Sequence, residues 1–137
     1  MLEIRVKGRF NINFTLRSRI SILTGNSGTG KTFMGRYLND RSFRKEIITN
    51  PQGYSFVYVD NIRTLRGTEE KAVILLDKTE QWSVEEYREA MSIVYRGDAR
   101  YYLIAERGCL WQVLAPSDFY TLEYDNKTFT LKDVYNV

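Results

Sequence analysis

Histidine is absent from this chain. Its absence excludes imidazole as a general base and as a metal ligand. The single cysteine, Cys109, cannot close an internal disulfide, which fits a reducing, cytoplasmic compartment. No apolar run approaches the roughly eighteen residues that a membrane-spanning helix needs, and no signal-peptide pattern is present, so no membrane partner is expected. Internal repeats and low-complexity tracts are also missing. Charge of one sign does not dominate: twenty Lys and Arg against seventeen Asp and Glu leave +3. So mild a basic balance lends little support to a nucleic-acid partner.

What is present reads as one globular domain, residues 1–137. An apolar fraction of 43% and a charged fraction of 27% are ordinary for such a chain, and its 137 residues can build a core without disulfide or metal. The organising stretch is Gly25-Asn26-Ser27-Gly28-Thr29-Gly30-Lys31-Thr32, which matches G-x-x-x-x-G-K-[ST] at every fixed position. Arg19 to Thr24 reads as a β-branched strand leading into it. Thr32 to Leu38 reads as a helix with Phe33, Met34, Tyr37 and Leu38 on one side.

The residue types suit a phosphate cradle. Gly25, Gly28 and Gly30 let successive backbone N–H groups curl around an anion at the positive end of a helix. Lys31 is expected to reach the β- and γ-phosphates as a point charge, standing exposed while the loop is empty. The Thr32 hydroxyl is a candidate Mg²⁺ ligand. The candidate nucleotide-binding set is Gly25, Asn26, Ser27, Gly28, Thr29, Gly30, Lys31, Thr32 and Phe33.

Upstream, Leu2, Ile4 and Val6 alternate with Glu3, Arg5 and Lys7. After Gly8, Phe10, Ile12, Phe14 and Leu16 alternate with Asn11, Asn13 and Thr15. Period two on either side of a glycine predicts a β-hairpin with one buried face, which could flank an adenine. Ile47-Ile48 is a short strand candidate before the turn Asn50-Pro51-Gln52-Gly53, and Ser55 to Asp60 is a further strand. Residues 61–71 suggest a brief helix or loop.

Ala72-Val73-Ile74-Leu75-Leu76-Asp77 is an uninterrupted apolar run ending in a carboxylate. Such a run predicts a strand buried on both faces, with Asp77 at the end where ligands bind in open α/β sheets. Asp77 is thus a candidate for holding Mg²⁺ alongside Thr32. Ser83 with Glu86 forms a capping box opening a helix that Gly97 stops. Arg100 to Glu106 is a strand, with Glu106 and Arg107 expected near the nucleotide edge. Gly108 to Ala115 reads as a short helix ended by Pro116, or as a hairpin. Phe119 to Tyr124 and Thr128 to Lys132 make a terminal hairpin around Asp125-Asn126-Lys127.

The order of these parts, from the hairpin through Gly25–Thr32 to the strand ending at Asp77, resembles the nucleotide-binding core of the ABC-type ATPases, within the wider additional-strand P-loop class. The resemblance implies an α/β fold: a mostly parallel P-loop NTPase sheet flanked by helices, with N-terminal and C-terminal β-hairpins. It implies ATP and Mg²⁺ as cofactors and a shared catalytic site completed by a protein partner or homodimer. The chain departs from that family in lacking an LSGGQ-like signature, an arm of helices to carry one, and a histidine after the fourth core strand. Many P-loop ATPases place a water-polarising glutamate directly after the strand-end aspartate; here Lys78 stands there, and Glu80 lies three residues past Asp77.

Three functions follow. One is a slow or partner-activated ATPase using Lys31, Thr32, Asp77 and, as candidate catalytic base, Glu80. Another is a nucleotide-gated module that binds protein or nucleic acid without significant hydrolysis. The third is a small-substrate kinase, disfavoured because no lid or arginine clamp for a second substrate is visible. ATP is favoured over GTP because no Asn-Lys-x-Asp guanine-reading motif occurs.

Overall fold

The computed structural model describes residues 1–24, 30–96, 99–105 and 119–134. Nine strands, β1 (Leu2–Gly8), β2 (Asn11–Leu16), β3 (Ile20–Thr24), β4 (Lys45–Asn50), β5 (Ser55–Val59), β6 (Ala72–Leu76), β7 (Tyr101–Ala105), β8 (Phe119–Asp125) and β9 (Thr128–Asp133), make one sheet in the order β4-β1-β2-β9-β8-β3-β7-β6-β5. Three helices accompany them among the described residues: α1 (Lys31–Asn39), α2 (Ile62–Arg66) and α3 (Val84–Val94).

This corrects the fold class expected above. Strands occupy 46% of the described residues, and the sheet is mixed and nearly closed like a barrel, not a mostly parallel sheet flanked by helices. The reason lies in long-range pairing. The β1–β2 and β8–β9 antiparallel pairs do not stand apart from the sheet. They are merged into it because β2 pairs in parallel with β9, Asn11 opposite Thr128 and Asn13 opposite Thr130. β4 then adds antiparallel to β1, so the two edge strands β4 and β5 are consecutive in the chain and linked only by residues 51–54. A linker that short brings the edges together and curls the sheet.

Side-chain alternation divides the core between the two faces of this curl. Val73 and Leu75 of β6, with Leu103 of β7 and Leu23 of β3, join Leu2, Ile4, Val6 and Phe14 of the hairpin around Met34 of α1. Ala72, Ile74 and Leu76 face the opposite way and meet Ile62 and Leu65 of α2 and Ala90, Ile93 and Val94 of α3. All five residues of β6 are therefore buried, which explains the continuous apolar run. Each fully buried Leu, Ile or Val contributes about 1.5–3 kcal/mol, so both faces matter to stability. The strands β5, β6, β7, β3 and β8 are parallel neighbours, and their C-terminal ends point toward the start of α1.

Local signals place the helices. Ser83 Oγ accepts from the Glu86 N–H and the Glu86 carboxylate accepts from the Ser83 N–H, closing both halves of the capping box on α3. Asn61 caps α2 through its bond from the Thr64 N–H at 2.8 Å. α1 lies close against β5 at Gly35, where an added Cβ would sit 2.0 Å from Cδ1 of the buried Tyr58 ring. Gly35→Ala is accordingly expected to lower stability by about 2 kcal/mol. The overpacking cost, at the upper end of its usual ~1–3 kcal/mol, outweighs the ~1 kcal/mol that alanine gains in helix propensity. A urea titration showing an unchanged or raised midpoint would contradict this close approach. No helix among the described residues is long and apolar enough to cross a membrane.

Candidate functional site

Gly30 is the N-cap of α1 and adopts φ 95°, a left-handed conformation that glycine tolerates and other residues resist. Its carbonyl accepts the first helical bond from the Met34 N–H at 2.9 Å. Lys31 and Thr32 follow in the first turn. Gly25, Asn26, Ser27, Gly28 and Thr29 lie outside the described residues. The same holds for Glu106, Arg107 and the short helix read from Gly108 to Ala115.

Asp77 follows β6 directly. Its N–H donates to the Val59 carbonyl at 2.8 Å, extending the β5–β6 pairing by one step. Asp77 is 8% exposed, and its carboxylate accepts from three donors: the Tyr58 hydroxyl to Oδ2 at 2.8 Å, the Thr32 hydroxyl to Oδ2 at 3.4 Å, and the Lys78 N–H to Oδ1 at 2.9 Å. Burial, then the hydrogen bond and charge of Asp77, hold the Tyr58 phenol well above its usual range, so it stays a protonated donor.

Lys78 turns the chain at φ 61°, opening a 3₁₀ turn over Thr79–Gln81. The indole N–H of Trp82 bonds the Asp60 carbonyl at 3.1 Å and ties the end of that turn to the end of β5. The result is a cavity of about 160 Å³ lined by Lys31, Thr32, Asp77, Lys78, Glu80 and Gln81. Five residues singled out in the sequence thus meet at one place. Lys31 departs from expectation: it is only 6% exposed, not standing free at the surface.

Phe33 points elsewhere. It is half exposed, packs edge-on against Phe10 with ring centres 5.1 Å apart, and lines a second cavity of about 420 Å³ with Tyr37, Phe43, Arg9 and Arg36. The Tyr37 hydroxyl donates to the Phe10 carbonyl at 2.8 Å and so fastens the hairpin turn to α1. The two cavities lie on different sides of the first turns of one helix.

No family model, curated protein or solved structure matches the chain. The chemistry of the site therefore rests on its own residues. Among the described residues no group of three or more Cys, Asp or Glu forms a ready metal cage. Magnesium does not require one. It keeps several waters and is commonly held by one or two protein oxygens together with phosphate oxygens. A hydroxyl and a carboxylate 3.4 Å apart beside a lysine fit that demand.

Tyr58 and Gln81 belong to the site although neither motif nor spacing points to them. For Tyr58 a signal existed. A tyrosine in an otherwise apolar strand needs a partner for its hydroxyl, and the parallel neighbour ends in a carboxylate. Gln81 carries no comparable signature.

Proposed function

We propose that this chain binds a magnesium–nucleotide, with ATP as the favoured nucleotide, and is a weak or partner-activated ATPase. The observation that carries the reading is the shared cavity at the start of α1, where Lys31, Thr32 and Asp77 meet directly after a sequence matching the phosphate-binding loop. In this reading, backbone N–H groups of Gly25 to Gly30 and the helix dipole hold the phosphates, and Lys31 supplies a full positive charge. Thr32 and Asp77 would hold Mg²⁺, which neutralises charge on the phosphates. Phe33, expected above among the nucleotide-binding residues, lines the separate cavity beside Phe10 and is given no part in holding the phosphates. A cytoplasmic setting and a protein partner or second copy belong to the same reading.

Lys78 favours the second reading, a nucleotide-gated interaction module without significant hydrolysis. It occupies the cavity wall next to Asp77, where an ammonium can bind phosphate but cannot accept a proton from water. Glu80 is the carboxylate left for that task, and it lies exposed on the 3₁₀ turn.

Asp77→Asn tests the site. The amide keeps the shape and removes the charge that would face Mg²⁺. Expected is loss of most of the magnesium-dependent gain in ATP affinity, about tenfold, with a smaller effect on binding in EDTA. Equal calorimetric titrations of the wild type with and without magnesium would contradict the metal role.

A further inference from the structure

We propose that Tyr58 is a positioning residue for Asp77, holding the carboxylate so that Oδ2 faces the Thr32 hydroxyl and the two oxygens present one joint site to a divalent cation. The inference rests on the magnesium–nucleotide reading above and adds a residue to it.

A carboxylate at a strand end can turn about two side-chain bonds, and Lys31 and Lys78 line the same cavity as alternative partners. Two bonds stop that rotation. The Lys78 N–H fixes Oδ1 at 2.9 Å and the Tyr58 hydroxyl fixes Oδ2 at 2.8 Å, which together set the carboxylate plane. The first is local and comes with the left-handed turn at Lys78. The second depends on where the Tyr58 ring stands, and that is set by α1. Tyr58 is 6% exposed, and the backbone of Gly35 lies so close to its ring that no Cβ would fit between them.

Thr32 and Gly35 belong to the same helix, one turn apart. Helix α1 therefore acts on the candidate metal site twice. It carries one oxygen directly, and it presses on the ring whose hydroxyl aims the other. A shift of α1 moves Thr32 and loosens Asp77 together. The arrangement makes cation binding sensitive to the seating of α1 on β5, which neither Thr32 nor Asp77 alone would achieve.

The test compares the wild type, Tyr58→Phe, Asp77→Asn and the double variant, titrated with a fluorescent ATP analogue in magnesium and in EDTA. Phenylalanine keeps the ring against Gly35, and melting curves confirm that each variant is folded. Expected for Tyr58→Phe is a several-fold loss in the magnesium-induced gain in affinity, smaller than that of Asp77→Asn, with EDTA binding unchanged, because the bond is made in the free protein too and only the cost of fixing the carboxylate is added to binding. In the Asp77→Asn background the same change should do nothing more, because the positioned group is already lost. A wild-type gain that survives intact in Tyr58→Phe overturns this inference and leaves the nucleotide reading standing. So does a loss that is equal in magnesium and EDTA, or that persists beside Asp77→Asn, since either marks Tyr58 as packing alone. A wild type that binds the analogue without any magnesium gain, or not at all, overturns both.

Discussion

Lys31→Ala should weaken Mg-ATP binding by roughly 30-fold to several-thousand-fold, the ~2–5 kcal/mol typical of removing one partner from a desolvated charge pair. The size follows from burial. A lysine on an open surface would contribute little, because water screens its charge. Lys31 is 6% exposed at the first turn of α1, in a cavity of about 160 Å³, where its field on a bound phosphate is far less screened. The same burial complicates the alanine variant, because truncation also removes the four-carbon stem from its packing. Lys31→Met keeps most of the stem and removes only the charge. Both variants are expected to lose affinity alike, with the methionine protein closer to wild type in melting temperature. Calorimetry that finds undiminished affinity in a folded Lys31→Met protein would falsify the phosphate-loop assignment.

The parts of this molecule that were legible in the sequence are those governed by local chemistry. Ser83 and Glu86 announce a helix start because each satisfies a backbone donor within three residues, and both bonds are present. The Ala72–Leu76 run announces burial on both faces, and both faces are covered. The alternation at Leu2, Ile4 and Val6 announces one buried face, and those three side chains are buried together. What escaped was the pairing between distant segments. Nothing in Asn11-Ile12-Asn13 specifies Thr128-Phe129-Thr130 as its parallel neighbour, and nothing in Ile47-Ile48 specifies the far edge of β1. Those two pairings turn separate hairpins into one curled sheet and overturn the expected fold class. The candidate site divides the same way. Thr32 and Asp77 could be placed by motif and strand end, whereas the Tyr58 bond to Asp77 depends on the register of β5 against β6, Tyr58 opposite Leu75.

The isolated chain should hydrolyse ATP far more slowly than the median enzyme turnover of about 10 per second, yet be stabilised by ATP as fully as by a non-hydrolysable analogue. Hydrolysis needs a base that orients water and a charge that stabilises the transferring phosphoryl group. Beside Asp77 stands Lys78, whose ammonium is the wrong acid–base partner for water, and Glu80 sits exposed on a 3₁₀ turn where solvent competes for it. A partner's arginine could supply the missing charge, so slow turnover alone is compatible with activation by a second protein. Binding needs none of these groups. At a hundredfold excess over its dissociation constant, ATP should add about 2.7 kcal/mol by mass action. For a domain of this size that is a rise of roughly 8 °C in melting temperature. Thermal melts with Mg-ATP and Mg-AMPPNP, run beside a phosphate-release assay, measure both quantities on one preparation. Matching shifts with negligible phosphate release are the expected result, and they fit the partner-activated ATPase as well as the nucleotide-gated module. Fast release from the purified chain, abolished by Glu80→Gln, would show that Glu80 reaches the attacking water unaided and that Lys78 is no obstacle to catalysis.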